Sequence, residues 1–67
     1  MARYELRSEL KDSTLCEPFA SFGAKRQALR IARYIAAVTP ADSDTARIVV
    51  TDAVSELAIA VFKPKEA

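Results

Sequence analysis

The sequence has no histidine and no tryptophan, one cysteine, one glycine and three prolines. Without histidine the commonest general acid–base group is missing, and the usual activating partner of a nucleophilic serine or cysteine is missing with it. One cysteine excludes an internal disulfide and, with no histidine beside it, leaves no zinc ligand set. A lone thiol suits a reducing, cytoplasmic setting. A single glycine, Gly23, cannot build a phosphate-cradling loop, so the nucleotide-binding motifs are excluded. No apolar run nears the ~20 residues of a membrane span. The N-terminal MARYELRSEL alternates charge and lacks the apolar centre of a signal peptide. Asp42 and Asp44 hint at calcium, but the twelve-residue ligand frame around them is missing. No cofactor, metal or membrane is therefore expected.

The chain has 67 residues, read as a single domain over 1–67. A domain this short buries only about 60% of its unfolded surface, so its stability is marginal and a partner or second copy would help it. Net charge is +1 but unevenly spread. The stretch SFGAKRQALRIARYIAAV, residues 21–38, carries Lys25, Arg26, Arg30 and Arg33 and no acid. The rest, with six bases against nine acids, holds −3.

That stretch has the periodicity of a helix over about 22–38. Phe22, Ala24, Ala28, Leu29, Ile31, Ala32, Ile35, Ala36 and Val38 fall in one broad arc. Arg26, Gln27, Arg30, Arg33, Tyr34 and Ala37 take the other side. Ser21 is placed to cap the start, Phe19 and Phe22 to staple it, and Thr39-Pro40 to end it. The alanines keep the inner face thin enough to lie close on a sheet.

The flanks read as strands. Residues 2–11 alternate, with Tyr4, Leu6, Ser8 and Leu10 inward and Arg3, Glu5, Arg7, Glu9 and Lys11 outward, where mixed signs suit cross-strand ion pairs. Residues 14–19, TLCEPF, follow a turn at Asp12-Ser13; Pro18 puts that strand at an edge or ends it, and either Leu15 or Cys16 must face inward. Residues 46–51 are rich in β-branched side chains, and residues 56–63, ELAIAVFK, are apolar on both faces. The tail from Pro64 is expected to fray. The fold class is α+β: a two-layer β-β-α-β-β arrangement, one four-stranded antiparallel sheet with a single helix on one face. The strand order is not legible, although the first and last strands look suited to the centre. The other sheet face has nothing to cover it, and Ala58, Ala60 and Phe62 are the candidate dimer or partner face.

Function follows by elimination. The carboxylates Glu5, Glu9, Asp52 and Glu56 are interspersed with bases and form no convergent pair, so the chain is not expected to be an enzyme. Like charges spaced i,i+4 and i,i+3 along the helix, with Lys25 and Arg26 at its positive end, work against local stability. The charges read either as an ordinary solvated face or as a basic stripe for an acidic partner or a phosphate backbone; on the second reading Lys25, Arg26, Arg30 and Arg33 are the candidate partner-binding residues. Paired recognition helices, zinc fingers and stacking aromatics on a sheet are absent, so direct nucleic-acid binding stays open but ranks behind a protein partner.

Two resemblances sharpen this. Arg3-Tyr4 opening a strand, an alanine- and arginine-rich helix, then RIVVTD turning into ELAIAVF resemble an uncharacterised family of short bacterial proteins of unknown function. The middle, EPFASFGAKRQALRIAR over residues 17–33, is similar to a small phage-encoded type I anti-CRISPR protein. That resemblance implies a non-enzymatic inhibitor in a bacterial host cell, one that binds an RNA-guided surveillance complex and blocks its access to target DNA. It implies that Lys25 and Arg26 meet an acidic or DNA-binding surface of the complex; Arg30 and Arg33 join them from the helix geometry. The alternative is a homodimeric regulatory or adaptor module of unknown ligand.

Overall fold

In a computed structural model, which describes residues 2–64, five elements follow in the expected order. They are β1 (Tyr4–Leu10), β2 (Ala20–Phe22), α1 (Lys25–Val38), β3 (Thr45–Asp52) and β4 (Leu57–Phe62). The four strands form one sheet in the order β2-β1-β3-β4, antiparallel at every step. The chain is thus α+β, with one helix on one sheet face. The expected fraying of the tail falls largely on residues 65–67, outside the described residues.

β1 keeps its alternation. Leu6 is fully buried, with Tyr4 packed beside it, while Glu5, Arg7 and Glu9 take the other face. Opposite them, Ile48 and Val50 of β3 face the helix, and Arg47, Val49 and Thr51 face away. β3 is the central strand that the pattern undersold. Its run Ile48-Val49-Val50 is buried on both faces, with Val49 only 6% exposed although it points away from the helix. β1 is central as expected; β4 is not. It lies at the edge, because antiparallel pairing with β3 was available on one side only.

The helix meets the sheet through Ala28, Ala32 and Ala36, spaced i, i+4 and i+8 and all buried. Leu29, Ile31 and Ile35 close the flanks, and Phe22, Ala60 and Phe62 pack in from the strands. The expected outer residues are all exposed. Ala24 and Val38 of the expected inner arc are exposed too, because an angular arc takes no account of where the sheet stops.

The helix starts later than expected. Ser21 pairs with Glu5 in the β1–β2 ladder, so its backbone belongs to the sheet and its hydroxyl caps nothing. Ala24 takes the N-cap position without a side-chain bond. Phe19 is half exposed and does not staple the helix; only Phe22 reaches the core. The C-terminal end is as expected: the Thr39 hydroxyl donates to the Ile35 carbonyl at 2.7 Å, and Pro40 stops the helix.

The second strand also shifts. Residues 14–19 run beside β1 but bond it only intermittently, through Leu10 N–H to Thr14 O, Cys16 N–H to Ser8 O and Phe19 N–H to Leu6 O. Pro18 has no N–H to give, and a regular ladder begins only after it, at Ala20. Neither Leu15 nor Cys16 joins the core: Leu15 is exposed and Cys16 half-buried.

Two turns use acid side chains. Asp12 Oδ1 accepts from Thr14 N–H at 2.9 Å, and hydrogen bonding to Thr14 holds this carboxyl below the usual carboxylate range. Asp52 Oδ1 accepts from Val54 N–H at 2.9 Å in the β3–β4 turn. That turn closes with Glu56 N–H donating to Asp52 O at 2.7 Å and puts Glu56 at φ 62°, a left-handed conformation that favours glycine.

Two stability outcomes follow. Leu6→Ala removes a fully buried side chain and costs about 2–5 kcal/mol in urea unfolding, whereas Leu15→Ala changes stability by less than about 0.5 kcal/mol. Glu56→Gly relieves the left-handed turn and raises the thermal midpoint, by the equivalent of up to about 1 kcal/mol.

Candidate partner-binding surface

The surface is built on α1. Lys25, Arg26, Arg30 and Arg33 are all exposed, and none forms an ion pair among the described residues. The two arginines of the sheet behave differently. Arg47 Nε meets Glu9 Oε1 at 3.1 Å directly across the β1–β3 pair, as the alternating signs suggested. Arg7 Nη2 lies 3.7 Å from Glu5 Oε1, and its Nη1 donates to Cys16 O at 3.2 Å. The arginines of the sheet strands therefore stand beside acids, and among the described residues the helix cations do not.

Helix geometry groups three of the four. At 100° per residue, Arg26, Arg30 and Arg33 lie within about 60° of one another and span roughly 10 Å along the axis. Lys25 stands about 100° to one side of Arg26. The stripe is thus three guanidinium groups with an ammonium on its flank. Arg26 and Arg30 border a shallow hollow shared with Ala24 and Gln27. Guanidinium groups carry fork-shaped donors that match carboxylate or phosphate pairs. The first turn holds no acid and carries Lys25 and Arg26, so these two charges add to the positive end of the helix dipole.

The second candidate surface is reassigned. Ala58, Ala60 and Phe62 do not share a face. β4 pairs Val50 with Ala60 but Thr51 with Ala58, which leaves Ile59 as an extra bulged residue. The bulge resets the alternation: Ala60 and Phe62 pack under the helix, and Ala58 alone borders the open face. Nor is that open face bare. Arg7 and Leu15 line a hollow there with Val49, Thr51 and Glu5. The apolar exposure lies at the β4 edge instead, with Leu57 67% and Val61 48% exposed. Sequence reasoning missed these two because it could not place β4. The uncharged run LAIAVF was the available signal.

Aromatics are also sorted. Tyr4, Phe22 and Phe62 pack against the helix-side core, so none of the three stands on the open face as a stacking platform; Tyr34 is exposed beside the stripe. Among the described residues no three acidic or thiol groups gather as a metal site, and no helix is long and apolar enough to cross a membrane.

The stripe has a measurable cost to the fold. Replacing Lys25 and Arg26 together by glutamate puts acids at the positive end of the helix and ends the repulsion with Arg30, so thermal denaturation should show a stabilisation of about 0.5–2 kcal/mol. A loss of stability would mean that these cations are needed by the fold itself.

No known protein family, no curated protein and no solved structure matches the chain, so its surface is read from its own chemistry.

Proposed function

We propose that this chain is a non-enzymatic binding module that docks the outer face of α1 on an acidic protein surface. The observation that carries the reading is the contrast in charge pairing. Arg7 and Arg47 on the sheet have acid partners close by, whereas the helix cations have none among the described residues, and Lys25 and Arg26 sit at the positive end of the helix dipole. Charges that weaken their own element are best accounted for by an external acidic partner. A protein partner is favoured over nucleic acid because Tyr4, Phe22 and Phe62 are taken up by the helix-side core and the net charge is only +1.

The specific partner in this proposal is an RNA-guided type I surveillance complex in a bacterial cytoplasm. The chain acts there as an anti-CRISPR inhibitor that blocks target-DNA binding. Support for that step is the similarity over residues 17–33, which includes Lys25 and Arg26. Inhibition would need no chemistry, only occupation of an acidic or DNA-accepting surface by the arginine stripe.

The test is co-purification with a type I surveillance complex, together with a target-DNA binding assay. The wild-type chain should be retained and should suppress DNA binding. The Lys25→Glu/Arg26→Glu double variant, still folded, should lose affinity by tenfold to a thousandfold. Retention of the double variant at full affinity would overturn the helix as the docking face. Absence of wild-type binding across surveillance complexes would overturn the anti-CRISPR reading. Binding instead to bare DNA, falling steeply with salt, would reassign the stripe to phosphates.

A further inference from the structure

The β4 edge supports an inference that does not depend on the basic helix. An edge strand leaves a row of backbone N–H and C=O groups unpaired, and proteins commonly blunt such edges with charge or proline. β4 has neither between Leu57 and Phe62. The opposite edge, β2, is only three residues long and follows Pro18. One edge is therefore guarded and the other open.

The bulge at Ile59 decides what fits there. In a regular strand, residues five apart or three apart point to opposite faces. Here Leu57 lies opposite Asp52 and Phe62 opposite Ile48, both on the helix side of the sheet. Ala58 and Val61 lie opposite Thr51 and Val49, both on the open side. At these four positions the order of faces thus reads the same from either end of the strand. Laid antiparallel on a copy of itself, β4 sets Leu57 beside Phe62 and Ala58 beside Val61, each pair on one face. Just outside the strand, exposed Glu56 then meets exposed Lys63 of the other copy at both ends. A slip of one residue either way sets Ala58 beside a residue of the opposite face.

We propose that two copies of this chain pair antiparallel along β4, with Leu57 opposite Phe62 and a Glu56–Lys63 ion pair at each end. The product is a continuous eight-stranded sheet with both helices on one face. Each helix lies over its own β1–β3 pair, so the two axes stand about four strand spacings apart, roughly 20 Å. The arginine stripes of both copies then point to the same side. Pairing also covers exposed Leu57 and Val61 and adds buried area to a domain with a small core.

Sedimentation equilibrium from micromolar to millimolar concentration tests this. The expected species has twice the chain mass of 7.3 kDa. Glu56→Lys and Lys63→Glu each place like charges at both ends and should weaken the dimer about tenfold. The Glu56→Lys/Lys63→Glu double variant should restore it. Val61→Lys, which adds charge to the open side of the strand, should give monomer, with circular dichroism confirming that each variant is folded. A wild-type monomer throughout, or a dimer indifferent to both single swaps, overturns the proposal. So does a double swap that stays weak, because it removes the register. Lys25→Glu/Arg26→Glu should leave the dimer intact, which separates failure of this proposal from failure of the helix reading.

Discussion

Ala28, Ala32 and Ala36 form a ridge one methyl group high, and Leu6, Ile48 and Val50 come up against it from the sheet. This contact sets the geometry of the whole molecule. Small side chains let the helix axis approach the strands, and the larger Leu29, Ile31 and Ile35 then seal the flanks rather than hold the layers apart. A bulkier residue in the ridge would lift α1 and open the flanks together. The ridge also fixes the rotation of the helix. With the alanines down, Arg26, Arg30 and Arg33 can only point outward, so the basic stripe is a consequence of the packing.

The same contact explains why the molecule has room for little else. Among the described residues six make up the buried cluster, all of them apolar, and no buried side-chain polar atom lacks a partner. The hollows lined by the described residues are shallow, and the titratable side chains are spread over the sheet face, the turns and the outer side of the helix. Among the described residues charge is divided too: Arg7 and Arg47 of the sheet stand beside acids, while the cations of the helix form no ion pair.

The two edges differ as much as the two faces. β2 is short, flanked by proline and continued only by intermittent bonds to β1. β4 is longer, uncharged and bulged. The bulge is a small backbone irregularity with a large effect, because one extra residue reverses the facing of everything beyond it. It turns Ala60 and Phe62 from an expected outer face into part of the core and leaves Leu57 and Val61 at the surface.

Periodicity by itself determined the order of elements, the alternation of β1, the alanine-inward rotation of α1 and the outward set of its arginines. These depend on the angle between neighbouring side chains, which is local. The helix start was misread because Ser21 had two uses, cap or ladder, and only the presence of β1 beside it settled which. The second strand was misplaced because Pro18 blocks a ladder at one position without saying on which side the ladder resumes. Strand order, the edge position of β4 and the bulge at Ile59 were decided by the tertiary structure alone. Each is a relation between segments far apart in the chain, and pairing across a sheet leaves no mark on the spacing within one strand.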